Sequence, residues 1–123
     1  MSEKKHSPLA EAYLRFLQLA KAFQSEADAL DLDANELALL EAVALCWFEG
    51  QAMTVREAIA LAKLGSPATL HKRITRLRQK DMLVAFNQEG DRRAKYLIPS
   101  EKTLNYFSHL GHNMKKVQQA PAF

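Results

Sequence analysis

Residues 66–79 read SPATLHKRITRLRQ, and this stretch decides the fold. It opens with a helix start signal, because Ser66 can cap the first turn and Pro67 suits the first helical position. Apolar residues then recur at spacings of four and three, at Leu70, Ile74 and Leu77, which predicts one buried face. Since a second short helix precedes it across a turn at Gly65, the pair is typical of a helix-turn-helix.

Two capping boxes predict the helices that come before this pair. Asp33 and Glu36 start a helix that Gly50 ends, and Thr54 and Glu57 start a short helix that runs to about residue 63. In the short helix, Ala58, Ile59 and Ala62 are expected to face inward.

A long amphipathic helix is predicted over residues 8–30, with Ser7 as its cap and Pro8 at its first position. Leu14, Phe16, Leu17, Leu19 and Phe23 cover much of its circumference, more than one packing contact requires. A large exposed apolar surface on a protein usually marks an interface. We therefore expect a homodimer built through the first and last helices.

The spacing of apolar residues changes after Asp81 and is no longer helical. Residues 82–87 and 92–98 predict two strands, and residues 88–91 supply the turn of a β-hairpin. Pro99 is expected to stop the second strand, and Ser100 to cap a last helix over 100–119. The order predicts a mainly α (α+β) fold, a winged helix-turn-helix with flanking dimerisation helices. One domain over 1–123 contains the first helix at 8–30, the winged-helix core at 34–99 and the last helix.

The charge is unevenly distributed along the chain, although the net charge is only +3. Residues 1–53 carry four basic and nine acidic residues, whereas residues 54–103 carry eleven basic and five acidic residues. A basic centre beside an acidic first half suggests that one face meets a polyanion.

The face of the 66–79 helix opposite its apolar stripe carries cations, hydroxyls and an amide, and no carboxylate. Such groups contact phosphates and base edges in the major groove of DNA. The predicted DNA-binding residues on this helix are Ser66, Ala68, Thr69, Lys72, Arg73, Thr75, Arg76 and Gln79. The hairpin adds Asp91, Arg92, Arg93 and Lys95, where a contact with the backbone or minor groove would fall.

These segments together resemble the MarR-type winged-helix transcriptional regulators. The resemblance covers roughly residues 37–103 and rests on SPATL at 66–70, Ile74, Leu77, MLV at 82–84 and GDRRA at 90–94. It implies that Asp91 orients Arg93 and that Arg93 enters the minor groove. It also implies a homodimeric regulator that represses or activates promoters and often has a small effector ligand. Two features differ from the family pattern: Pro99 and Lys102 stand where a threonine and a glycine are usual, and only 20 residues follow Thr103.

Few residues support any other class of function. No nucleophile–base pair, zinc-protease motif or suggestive carboxylate pair is present, so we expect no enzyme, no metal and no cofactor. Cys46 is interpreted as a buried thiol rather than a redox switch, and His109 and His112 alone are a weak metal signal. A single cysteine and a longest apolar run of residues 42–48 indicate a cytoplasmic protein without a membrane partner.

One alternative stays open, a winged helix used for protein–protein contact without DNA binding. Such a module would not need a cationic recognition face, and its binding would fade little with salt. A DNA-binding regulator should lose affinity steeply with salt, because phosphate contacts release counterions.

Overall fold

The computed structural model describes residues 7–119 and has the winged-helix order of elements. These are α1 (Pro8–Ala29), α2 (Ala34–Phe48), α3 (Val55–Ile59), α4 (Pro67–Gln79), β1 (Leu83–Asn87), β2 (Lys95–Pro99) and α5 (Glu101–Gln119). The predicted fold class is confirmed, with flanking helices on both sides of the core. Residues 1–6 and 120–123, which the prediction of one domain includes, lie outside the described residues.

The helix starts follow the local signals. Asp33 accepts the Glu36 amide at 2.7 Å, and the Glu36 carboxylate accepts the Asp33 amide at 3.1 Å. Because its carboxylate accepts that amide, Asp33 has a pKa below its ordinary value. Thr54 and Glu57 form the second capping box in the same way. Each predicted box therefore begins a helix.

The short helix α3 ends earlier than expected, at Ile59. The amides of Ala60 and Leu61 bond to carbonyls three residues back, so the chain leaves the helical spacing there. Ala62, predicted to face inward, is exposed, whereas Ala58 is fully buried as predicted. The sequence period could not reveal this change from a helix to a series of turns.

The hairpin pairs β1 and β2 in antiparallel register, with Leu83 opposite Pro99 and Asn87 opposite Lys95. The second strand starts at Lys95 rather than at residue 92. The Asn87 side-chain amide donates to the carbonyls of Arg92 and Ala94, at 3.1 and 2.9 Å, so a side chain takes the place of strand pairing there. Pro99 is the last residue of the strand and not the residue after it.

A third segment joins the sheet at the start of α3. The amide of Leu97 donates to the Met53 carbonyl at 2.8 Å, and Thr54 forms an isolated bridge with Tyr96. Sequence analysis did not predict this link, because a strand contact formed by only Met53 and Thr54 is too short to show an alternating pattern. It ties the helix-turn-helix to the base of the hairpin.

The core lies between α2, α4 and the hairpin. The three apolar residues predicted for α4, Leu70, Ile74 and Leu77, are all buried in it. The same buried cluster contains Leu39, Leu40, Val43, Ala58, Met82 and Leu97. Burying this stripe fixes the opposite face of α4 toward the outside of the molecule.

Apolar side chains on α1 stay exposed in the single chain. Leu9 is 83% exposed, and Tyr13, Phe16 and Leu17 extend the same stripe at helical spacing. The first half of α1 therefore presents an uncovered apolar face. None of the helices in the described part of the chain is long and apolar enough to cross a bilayer.

Candidate nucleic-acid interface

The outward face of α4 has the composition that the sequence predicted. Ala68, Lys72, Thr75, Arg76 and Gln79 are all exposed. The helix Pro67–Gln79 contains no acidic residue. Its cations therefore have no carboxylate on their own helix.

The hydroxyl groups at the start of α4 are engaged in local hydrogen bonds. Ser66 Oγ accepts the Thr69 amide at 3.2 Å and donates to Thr69 Oγ1 at 2.9 Å. Farther along, Thr75 donates its hydroxyl to the His71 carbonyl at 3.0 Å. A hydroxyl has one proton to donate, so Ser66 and Thr75 are left to act as acceptors toward a ligand.

Arg73 stands apart from the other cations of α4. It is half-buried, and its guanidinium donates to the Leu64 carbonyl at 2.6 Å. A Cβ on Gly65 would lie 3.3 Å from Arg73 Nη1, so the glycine makes room for this contact. Arg73 thus holds the turn between α3 and α4, a role that sequence reasoning did not assign to it.

The hairpin loop presents the predicted wing cations to the outside. Arg92, Arg93 and Lys95 are exposed. Asp91 accepts the backbone amide of Arg93 at 2.9 Å, and the described ion pairs include none between their side chains. Asp91 therefore orders the loop at Arg93 through the main chain, and the Arg93 side chain stays available.

A cleft of about 660 Å³ lies between α4 and the hairpin loop. Cations from α3, α4 and the hairpin converge on it, and no carboxylate is among its lining residues. The lining consists of Thr54, Val55, Arg56, His71, Arg78, Arg92, Arg93, Ala94 and Lys95. Because like charges gathered without acids focus a positive potential, the cleft is suited to an anionic partner.

Arg56, His71 and Arg78 belong to this cleft but were not among the predicted site residues. His71 and Arg78 are seven residues apart and so share one edge of α4. That edge is the one beside the hairpin, whereas Arg76 and Thr69 lie toward the opposite edge. A helical wheel places residues on the two edges of α4, but the sequence does not show which of these edges the hairpin packs beside.

Residues 7–119 include no cluster of three or more histidine, cysteine or acidic side chains that could hold a metal ion. Cys46 is half-buried rather than buried, and it is unpaired. His109 and His112 are both exposed on α5.

Comparison with known proteins finds matches in structure alone. No protein-family model and no curated sequence matches the chain. A mutant of S. aureus MepR bound to an oligodeoxyribonucleotide superposes with a TM-score of 0.64 at 14% identity, over 95% of this chain and 86% of that one. The chain has the MarR-type winged-helix fold.

Two further structures have the same fold. A MarR-like transcriptional regulator from Thermotoga maritima gives a TM-score of 0.62 at 19% identity, over 93% of this chain and 80% of that one. NadR in complex with 4-hydroxyphenylacetate gives 0.57 at 14% identity, over 94% and 79%. At these identities the shared property is the backbone arrangement, so the function has to be argued from the residues of this chain.

The half-buried Arg73 and the exposed Arg76 of α4 should differ in their effect on stability. Arg73→Ala removes the donor to the Leu64 carbonyl and should lower the free energy of unfolding by about 1.5–3 kcal/mol. Arg76→Ala, the matched control on the exposed face, should change it by less than about 0.5 kcal/mol. Urea unfolding of both variants measures this, and equal losses would contradict the structural role of Arg73.

Proposed function

We propose that the protein is a cytoplasmic, homodimeric, sequence-specific regulator of transcription that binds double-stranded DNA. In this proposal α4 enters the major groove, and the loop around Asp91–Lys95 lies on the backbone or the adjacent minor groove. The observation that carries it is the cleft between α4 and the hairpin, where five arginine and lysine side chains converge without an acid. The likeness to a MepR structure bound to an oligodeoxyribonucleotide supports the same conclusion.

The geometry of α4 supports a division of roles among its side chains. The major groove is about 12 Å wide and admits one helix. The exposed outer face, with Lys72, Thr75, Arg76 and Gln79, would then approach base edges. Arg78, at the edge of α4 toward the hairpin, and Arg56 of α3 would contact phosphates, which position the protein without reading sequence.

A salt titration separates this function from the alternative, a protein–protein module. Fluorescence polarisation with a random-sequence 30-bp duplex should show affinity falling by about 10³ or more between about 50 and 200 mM salt, if six or more phosphates are contacted. Arg78→Ala should make the logarithmic salt slope shallower by about one. Lys21→Ala on α1 removes the same charge far from the cleft and is the control. Salt-independent or absent binding by the intact protein would favour the protein–protein module.

Arg76 is expected to read a base rather than a phosphate. A bidentate contact of arginine with guanine discriminates against other bases by about 1–3 kcal/mol. Duplexes enriched from a random library by the intact protein supply the test site. Arg76→Ala should lose that discrimination at one base pair while keeping its affinity for random duplex within a few fold. Unchanged base preference at every position would contradict this assignment.

The wing is expected to contribute through Arg93, held in place by Asp91. Arg93→Ala should weaken binding across sequences and reduce the salt slope by about one. Asp91→Ala should weaken binding too, although it removes a negative charge, because the loop loses the acceptor of the Arg93 amide. A gain in affinity for Asp91→Ala would show that charge repulsion dominates at the loop.

The exposed apolar face of α1, together with α5, is proposed as the homodimer interface. Light scattering at micromolar concentration should give about twice the 13.9 kDa of one chain. Phe16, 56% exposed, lies in the stripe. Phe16→Glu should lower the mass to that of a monomer, because it buries a charge in the interface. Gln18→Glu, an exposed neighbour off the stripe, should leave it unchanged. A monomeric mass for the intact protein with its DNA in excess would rule out the dimer.

An effector site is proposed in the groove of about 550 Å³ where α1, α2 and α5 meet. Its lining is apolar apart from Glu41, whose pKa is raised by desolvation. The lining residues are Phe23, Glu41, Ala44, Leu45, Trp47, Phe48, Leu104, Phe107, Leu110, Gly111 and Met114. With a carboxylate and no cation in the lining, the groove favours a cationic or uncharged aromatic ligand over an anionic one.

Trp47, the single tryptophan, reports on this groove. At neutral pH, 4-hydroxyphenethylamine should change its fluorescence at lower concentration than 4-hydroxyphenylacetate, the compound bound in the NadR structure. The two share a ring and differ in charge. Glu41→Gln should bring the two affinities closer together. Tighter binding of the acetate by the intact protein would contradict the proposed ligand class.

A further inference from the structure

The C-terminal end of α4 is anchored by one lysine that reaches the turn between α1 and α2. Lys80 caps α4, and its Nζ donates to Glu36 Oε1 at 2.9 Å and to the carbonyl of Asp31. The carboxylate of Asp31 is 3.8 Å away. The Lys80 carbonyl in turn accepts Lys102 Nζ at 2.9 Å. The C-terminal end of α4 is therefore connected to the turn after α1, to α2 and to α5.

Burial makes this ion pair unusual. Glu36 is only 2% exposed, and its second oxygen, Oε2, is buried without a hydrogen-bond partner in the described part of the chain. Lys80 keeps 27% of its side chain exposed, so the buried partner is Glu36. Desolvation of a buried carboxylate with an unsatisfied oxygen offsets the attraction to the lysine, and the pair contributes little net stability. Such pairs are best understood where they select one arrangement of packed elements over others.

Other contacts also hold α4. Leu70, Ile74 and Leu77 pack against the core, the Met82 amide donates to the Leu77 carbonyl at 2.8 Å, and Ser100 Oγ donates to the Asp81 carbonyl at 2.6 Å. At the N-terminal end, Arg73 holds the turn through the Leu64 carbonyl. The Lys80–Glu36 contact is directional and joins the C-terminal end of α4 to α2, whereas the Met82 and Ser100 hydrogen bonds join it to the hairpin and to the segment that begins α5.

We propose that Lys80 and Glu36 are a positioning pair that sets the angle of α4 relative to the dimerisation helices, and thereby the spacing of DNA half-sites. This inference rests on the proposed function. Thirteen residues make α4 about 20 Å long, so a tilt of about 10° moves one end by about 3 Å. That displacement is close to the rise of one base pair, about 3.4 Å. Loss of the pair should therefore relax the half-site spacing by about one base pair.

The test uses the double variant Glu36→Gln/Lys80→Met, because it removes the pair without changing the net charge or leaving a buried charge alone. Lys80→Met by itself is expected to be strongly destabilised by the unpaired carboxylate. Glu36→Gln alone keeps Oε1, which accepts both the Asp33 amide and Lys80 Nζ, so it removes the charge of the pair and leaves the directional contact. Lys115→Met is the control, since it removes an exposed cation of α5 and leaves the contacts of Lys80 intact. Lys80→Arg keeps a cation at the same position and should keep the spacing.

The readout is the spacing of half-sites in duplexes that each protein enriches from a random 30-bp library. The intact protein should prefer its selected spacing over one longer by a base pair by about tenfold or more. The double variant should select the same half-site bases with a preference of about threefold or less. Lys115→Met, Glu36→Gln and Lys80→Arg should retain the tenfold preference. Urea unfolding of each variant accompanies the selection.

The outcomes separate this inference from the proposed function. If the intact protein enriches paired half-sites and the double variant keeps its spacing preference, the positioning role is overturned and the function stands. A uniform loss of affinity at every spacing also overturns it, because a merely stabilising pair would act that way. If the intact protein enriches no paired half-sites, the proposed dimeric DNA binding fails, and this inference fails with it.

Discussion

Burial of the apolar stripe of α4 is the constraint on which the rest of the structure depends. Leu70, Ile74 and Leu77 leave water by packing against α2, α3 and the hairpin. Fully burying each of them contributes on the order of 1.5–3 kcal/mol. Once that face is buried, the helical spacing places the cations of the opposite face together on the outside of the molecule. The position of the cations in the candidate interface thus follows from the packing of the core.

The hairpin converts a charged helix face into a cleft. Its base is tied to the start of α3 through Leu97 and Met53, and its loop is ordered by Asp91 and Asn87. These contacts bring Arg92, Arg93 and Lys95 opposite Arg56 and Arg78. Gathering like charges costs folding free energy through repulsion, and a polyanion lowers that cost when it binds. The acidic residues are concentrated in the segment that forms α1 and α2, away from this surface.

What could be predicted from the sequence was local. Ser66, Asp33 and Thr54 act within three residues of themselves, so their helix starts were readable from the sequence alone. The features that were missed join distant positions. Glu36 and Lys80 are 44 residues apart, and Leu97 meets Met53 across the whole helix-turn-helix. Arg73 was grouped with the outer cations because a helical wheel does not show that the Leu64 carbonyl needs a donor.

The fold alone does not decide the function, since chains at 14–19% identity share this backbone. Two surfaces of this chain differ in charge and polarity. The cleft beside α4 is cationic, whereas the groove among α1, α2 and α5 is apolar with one carboxylate, Glu41. Lys80 connects the end of α4 to the turn that follows α1. That turn joins α1 and α2, two helices whose residues line the groove, so Lys80 and Glu36 form a direct contact between the helices of the groove and the end of α4.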